Sequence, residues 1–239
     1  MKLSRYKRNF THSYALGATL VYELLAVHPE LIQRVFLRPD ITPGADLADL
    51  LAKLKARHIE TIETTKAFNV LDAKDNCLLI AEFTKPATKL SAGPHLVLVN
   101  PSDSGNLGTI MRSATAFGFT NLAIISPAVD PYQPKVVRAS MGAAFHLNIQ
   151  EFPSFEQYRA SVNQDRKYYA FMLNPNAIQL PDLKLSDDNF SLIFGNEAAG
   201  LPPEFAEIAT PVFIPQSSAV DSLNLSVATS LALYQFRQK

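Results

Sequence analysis

The chain has 239 residues, 47% of them apolar and 18% charged, with nine glycines, a composition of one or two packed domains and not of a disordered or collagen-like chain. Its 22 basic and 22 acidic residues cancel to a formal net charge of zero, so no global basic field marks a nucleic-acid binder and any such site is local. The single cysteine, Cys77, excludes an internal disulfide and a multi-thiolate metal site, and five singly scattered histidines give no ligand spacing, so no metal is expected.

The first residues, MKLSRYKRNF, carry Lys2, Arg5, Lys7 and Arg8 without an apolar run long enough for a signal peptide or a membrane span, and a cytoplasmic protein with no membrane partner is expected. This basic start reads equally as a solvated terminus or as a phosphate-contacting arm. Residues 15–28 place Leu16, Leu20, Leu24 and Val27 on one helical face before the stop at Pro29, which predicts a helix. RVFL at 34–37 predicts a strand, residues 46–58 a second helix carrying Leu47, Leu50, Leu51 and Leu54, and ETIETT and CLLIAEF two further extended segments. Together these make a small α/β domain.

KPATKLSAGP at 85–94 holds two prolines, a glycine and small polar residues and reads as a linker, dividing the chain into domains at 1–90 and 91–239. Thirteen basic and ten acidic residues lie in the first part, nine and twelve in the second. Beyond the linker, HLVLVN, NLAIIS, FHLNIQEF, YYAFML, FSLIFG and TPVFIP alternate with helix-like stretches, the pattern of a mostly parallel sheet wrapped by helices. Proline-rich patches at 127–134 and 202–215 mark loops, and strand-end loops are where open α/β sheets bind ligands. No G-x-G-x-x-G, P-loop or G-x-S-x-G element is present, which lowers the case for a Rossmann cradle, nucleotide hydrolysis and serine-hydrolase chemistry.

Three segments put polar residues at strand ends. In NPSDSGNLGTIMRSATAFGF (100–119) a strand runs through a turn into a helix starting near Asn106, and Asn106 and Arg112, six residues apart, stand about 120° from each other around it. A cap asparagine and a solvated arginine would account for that pair as well as a site would. In FSLIFGNEAAGLPPEF (190–205) a strand stops at Gly195-Asn196-Glu197 and reopens at Gly200, where glycine lets backbone approach a ligand and an ordinary turn would serve too. In FIPQSSAVDSLNLSVATSLALYQF (213–236), Asp221 or Ser222 reads as a helix cap and Leu223, Val227, Leu231 and Tyr234 as a buried stripe, with Ser222 and Asn224 in a first turn suited to an anion.

In order and wording these segments resemble the SpoU, TrmH-like branch of the SPOUT RNA methyltransferases. NLGTIMRSATAFGF, RASMGAAFH (138–146), GNEAAGL and IPQSSAVDSLNLSVATS correspond to its successive motifs, and the resemblance spans residues 95–237. It implies an α/β fold in which a parallel-sheet trefoil-knot domain follows a small α/β/α ribosomal-protein-like RNA-recognition domain. It also implies a homodimer, with S-adenosyl-L-methionine held by backbone around Gly195, Ile214 and Leu223 and by their neighbours Asn196, Gly200 and Pro215. By the same resemblance Arg112 is the catalytic arginine, contributed to the site of a second protomer, and Asn106, Glu197, Ser222 and Asn224 complete the set. An arginine stays protonated, so Arg112 fits phosphate binding and alkoxide stabilisation better than the part of a general base. The implied activity is methyl transfer to a ribose 2′-hydroxyl of structured RNA, large-subunit (23S) rRNA ahead of tRNA, with a catalytically silent RNA-binding protein as the rival. HSYALGATL departs from the glutamate-glycine pair more usual in such first domains.

Overall fold

A computed structural model describes residues 3–39, 41, 44–162, 165–185 and 189–237. The chain packs as two units, residues 1–87 with 130–145, and residues 88–129 with 146–239. Among the described residues no helix is long and apolar enough to cross a membrane.

The first unit runs β1 (His12–Leu16), α1 (Ala18–Val27), β2 (Ile32–Leu37), α2 (Ala45–Ala56), β3 (Glu60–Glu63), α3 (Lys66–Val70) and β4 (Leu79–Thr84). Its sheet has the order β1-β4-β2-β3, antiparallel except for the β2–β3 pair. Alternation sends Tyr14, Leu16, Phe36 and Ile80 to one face, where Phe68 of α3 covers them. The helix expected over 15–28 starts later, because Ala15 and Leu16 pair with Ala81 and Ile80 as the end of β1. Gly17 makes the turn between the two elements with φ 116°, a conformation open to glycine.

The second unit contains β5 (His95–Val99), α4 (Ser104–Ala116) and β6 (Asn121–Ile125). The chain then gives α5 (Pro134–Ala139) to the first unit, where it packs on β1 and buries Val136 and Val137. It returns for β7 (Asn148–Phe152), α6 (Phe155–Ser161), β8 (Lys167–Phe171), β9 (Ile178–Gln179), β10 (Phe190–Phe194), α7 (Phe205–Ile208), β11 (Thr210–Phe213) and α8 (Leu225–Gln235). The seven strands are all parallel in the order β7-β6-β5-β10-β8-β11-β9. Every residue of β5, β6 and β10 is buried, so both faces are covered, with Val97, Ala123 and Ile193 meeting Phe155 and Phe205 in the core on one of them, which is why these strands read as continuous apolar runs.

Two features correct the division at residue 90. The RASMGAAFH segment, placed by sequence within the second domain, is largely part of the first unit, where Phe145 sets its ring edge-on to Phe83 at 5.3 Å. The second half of the expected linker is bonded into the second unit: Thr88 donates to the Ile149 carbonyl at 2.7 Å, and the Ser91 N–H donates to the Asn121 side chain at 2.8 Å.

Candidate active site

The chain leaves β5 toward β6 on one side of the sheet and leaves β10 toward β11 on the other, although β5 and β10 are neighbours. Two loops that part from adjacent strands leave a crevice at the carboxyl ends, the place where open parallel sheets bind ligands. The β5 loop turns at Asn100, whose φ is 55°. The β10 loop folds back on itself, with paired backbone bonds between Asn196 and Gly200 of 2.9 and 3.2 Å. A Cβ on Gly195 would stand 2.1 Å from the Gly200 carbonyl carbon. The missing side chain at Gly195 therefore serves loop closure, a demand not read from sequence.

Glu197 joins the two loops. Its Oε2 accepts from the Ser102 N–H at 3.0 Å and the Ser102 hydroxyl at 2.8 Å, and its Oε1 from the Asp103 N–H at 3.0 Å and the Asn106 amide at 3.4 Å. Burial disfavours its charge, but the hydrogen bonds from backbone N–H groups and the Ser102 hydroxyl outweigh burial and hold the carboxyl below its ordinary range. Asn196 steadies both loops, donating to the Asn100 carbonyl at 2.8 Å and accepting from the Ala198 and Ala199 N–H groups at 2.9 and 3.1 Å.

The cap assignments differ from those read in sequence. Asp103, not Asn106, caps α4 and accepts from the Asn106 N–H at 2.7 Å, which frees the Asn106 side chain to reach Glu197. Asn224, not Asp221 or Ser222, caps α8, accepting from the N–H groups of Ser226 and Val227 at 2.8 and 3.4 Å. With its oxygen committed to the cap, Asn224 donates its amide to the Asn106 oxygen at 3.1 Å. Ser222 lies in the loop before the helix, outside the first turn in which it was expected.

Asn106, Glu197 and Asn224 thus form one bonded chain, and no hydrogen bond among the described residues ties Arg112 or Ser222 to it. Arg112 stands exposed on α4. The expected buried stripe on α8 is also corrected: Val227, Leu231 and Tyr234 are 47%, 44% and 56% exposed, while Leu225, Thr229, Ala232 and Leu233 are buried. Periodicity marks an apolar face but not what covers it. Ser102 and Asp103 were not singled out from sequence, although two polar residues directly after an apolar strand were the available signal.

Beside the bonded chain lies a cavity of about 570 Å³, lined by Gly195, Asn196, Glu197, Gly200, Ile214, Ser222 and Leu223 among others, with Pro215 outside the lining. Its apolar wall includes Phe171 and Phe194, stacked at 4.3 Å between ring centroids. Gly200 has φ 66°, and a Cβ there would meet no protein atom within 4 Å, so this part of the lining is bare backbone. Volume, aromatic wall and exposed loop backbone suit a nucleoside-sized ligand.

Comparison with known proteins finds related sequences and structures. The chain is 34% identical over 168 residues to an uncharacterised tRNA/rRNA methyltransferase of Synechocystis, covering 67% of this chain and 60% of that protein. It is 29% identical over 157 residues to the 23S rRNA (guanosine(2553)-2′-O)-methyltransferase RlmP of Bacillus subtilis, covering 64% and 61%. The chain therefore spans about three-fifths of the length of these relatives. The AdoMet-bound rRNA methyltransferase of Sinorhizobium meliloti superposes with a TM-score of 0.78 at 25% identity, over 94% of this chain and 86% of that one. The profile of the SpoU rRNA Methylase family matches residues 93–234, and by that match the chain belongs to this family.

Proposed function

We propose that this protein transfers a methyl group from S-adenosylmethionine to a ribose 2′-hydroxyl of large-subunit ribosomal RNA. The observation that carries the reading is the Glu197–Asn106–Asn224 chain at the switch point, beside a cavity whose lining includes five of the six residues expected to hold the cofactor. Family membership and relatives named for rRNA support it, and the Sinorhizobium rRNA methyltransferase structure aligns over 94% of this chain.

When bound, S-adenosylmethionine supplies a methyl on a positively charged sulfur. The residues of this chain orient and stabilise. The lining of Gly195, Asn196, Gly200, Ile214 and Leu223 would hold the cofactor, the knot implied by the resemblance bringing these loops together. Glu197 keeps its charge, and bonds already occupy both its oxygens, so it orders the site and leaves the hydroxyl proton to another acceptor. The second N–H of the Asn106 amide and the Ser222 hydroxyl remain to orient the ribose. Arg112 would hold the phosphate next to that ribose and stabilise the oxygen as its proton passes to a phosphate oxygen or to water. Aligning the hydroxyl with the methyl can contribute on the order of 7–11 kcal/mol.

The enzyme acts in this proposal as a cytoplasmic homodimer. Val227, Leu231 and Tyr234 recur on one face of α8, exposed in the single chain, and an apolar helical stripe of this kind is buried by a second copy. Arg112 of one protomer would then complete the site of the other. In the test, nucleosides of ribosomal and transfer RNA from a strain lacking the protein are compared by mass spectrometry, and alkali-resistant linkages are mapped. Loss of one 2′-O-methyl nucleoside from 23S rRNA is expected. A loss confined to tRNA moves the substrate, and unchanged RNA in both pools leaves an RNA-binding protein without transfer activity.

A further inference from the structure

The carboxylate of Glu197 is held mainly from one place. Three of its donors, the N–H and hydroxyl of Ser102 and the N–H of Asp103, come from the turn after β5. The Ser102 hydroxyl makes the shortest of these bonds, 2.8 Å to Oε2, and Asn196 donates to the same hydroxyl at 3.4 Å. A hydroxyl that accepts from one neighbour and donates to a carboxylate has a fixed rotor.

The rest of the chain has a direction. The Asn224 oxygen is taken by the first N–H groups of α8, so its amide must donate, and it donates to the Asn106 oxygen. The Asn106 amide must then donate to Glu197, and it does, at 3.4 Å, the longest link. Asn224 fixes the oxygen end, and among the described residues no other hydrogen bond holds the Asn106 amide at the Glu197 end. The orientation of Asn106 therefore depends on where the Glu197 carboxylate stands, and of the two side chains from the flanking loops that donate to its Oε2, Ser102 at 2.8 Å makes a much shorter bond than Asn196 at 3.3 Å.

We propose that Ser102 is a positioning residue for methyl transfer, acting through Glu197 to orient the Asn106 amide toward the ribose. This rests on the reading of the protein as a ribose methyltransferase. Ser102 is exposed and its backbone donor survives substitution, so Ser102→Ala removes the bond to Glu197 and the longer one from Asn196 without opening the core, and Ser102→Thr keeps the hydroxyl.

In the full-length protein, Ser102→Ala is expected to lower kcat about tenfold. The KM for 23S rRNA and the affinity for S-adenosylmethionine should stay within about twofold of wild type, and Ser102→Thr should recover most of the loss. An unchanged kcat overturns the proposal, and so does a loss matched by weaker cofactor binding or a lower melting temperature, because either marks a structural role. A second measurement needs no activity. The side-chain amide protons of Asn106, followed by NMR, should exchange faster with solvent in Ser102→Ala than in wild type. Equal exchange overturns the proposal. A wild-type protein that transfers no methyl to any RNA refutes the function reading and leaves the exchange result to decide on Ser102.

Discussion

The two central strands of the large sheet, β5 and β10, carry a polar cluster at each end, and the clusters are built on opposite terms. At the carboxyl ends Glu197, Asn106 and Asn224 are bonded to one another but reach solvent, and Arg112 and Ser222 stay outside the bonding. At the amino ends His95, Tyr158, Arg166 and Ser191 are buried together. There the Tyr158 hydroxyl meets His95 Nδ1 at 2.9 Å and the Ser191 hydroxyl at 2.6 Å, His95 Nε2 meets the Ser91 carbonyl at 2.9 Å, and Arg166 donates to the carbonyls of Phe190 and Gly93. One end is open to solvent, and the other closes the foot of the sheet, with only the Arg166 Nε–H of its cluster unmet among the described residues. A cluster of ionisable groups is therefore not in itself a site. What separates the two is access to solvent.

The sharpest break between the two ends is Arg112→Ala, which should lower methyl transfer by about 10²- to 10³-fold with the melting temperature unchanged. Mixed with Glu197→Ala, it should recover about a quarter of wild-type turnover in randomly assorted dimers, and no recovery would mean that each chain completes its own site. The opposite end should respond to acid. Burial, assisted by Arg166 and opposed by the hydrogen bond to Ser91, lowers His95 from its ordinary 6.5 to about 4. The unfolded chain therefore takes up a proton that the folded one refuses, and stability falls as pH drops from about 6.5 to about 4, by at most about 3 kcal/mol. Denaturant midpoints across that range should flatten in His95→Gln.

Tyr158→Phe, which leaves the His95 ring and the Ser191 hydroxyl without their shared partner, should cost about 1–3 kcal/mol in denaturant unfolding. Activity per folded molecule should not change. The smallest effect concerns Thr229, whose buried hydroxyl has no partner among the described residues. Thr229→Val keeps the shape and removes the unmet group, and it should be neutral or stabilising by up to about 1 kcal/mol.

Much of this was legible in the sequence, and the failures have physical causes. The strands of the second unit could be read because burial on both faces requires unbroken apolar runs, as in FSLIF and HLVLV. GNEAAGL and SLNLSVA pointed to Glu197 and Asn224 through the family resemblance; their polarity alone did not, since an ordinary turn or a helix cap, the part Asn224 does play, places polar side chains at the same points. The short β9, with Ile178 and Gln179 exposed, leaves no such pattern and was missed. Helix α8 misled because it is apolar on more than one side. Leu225, Ala232 and Leu233 face the core and Val227, Leu231 and Tyr234 face out, a distinction that depends on whether α8 is read alone or against α4, on which it packs. The cap at Asn224 followed the same logic, since Asp221, Ser222 and Asn224 all satisfy the preference and only the path of the chain selects one.

The contribution of residues 130–145 to the first unit has a consequence for how the protein is made. Ser13 donates to the Tyr132 carbonyl, Lys85 pairs with Asp130 at 3.3 Å, and Val136, Val137 and Phe145 supply part of that unit's core. On a translating ribosome, β1 to β4 emerge long before these partners do, so the first unit stays unfinished while β5, α4 and β6 of the second are already being synthesised. The leading segment is thus no cassette that could be cut out at residue 90 or exchanged between proteins by a single crossover, for a transplant would need a second junction near residue 145 to carry its missing wall.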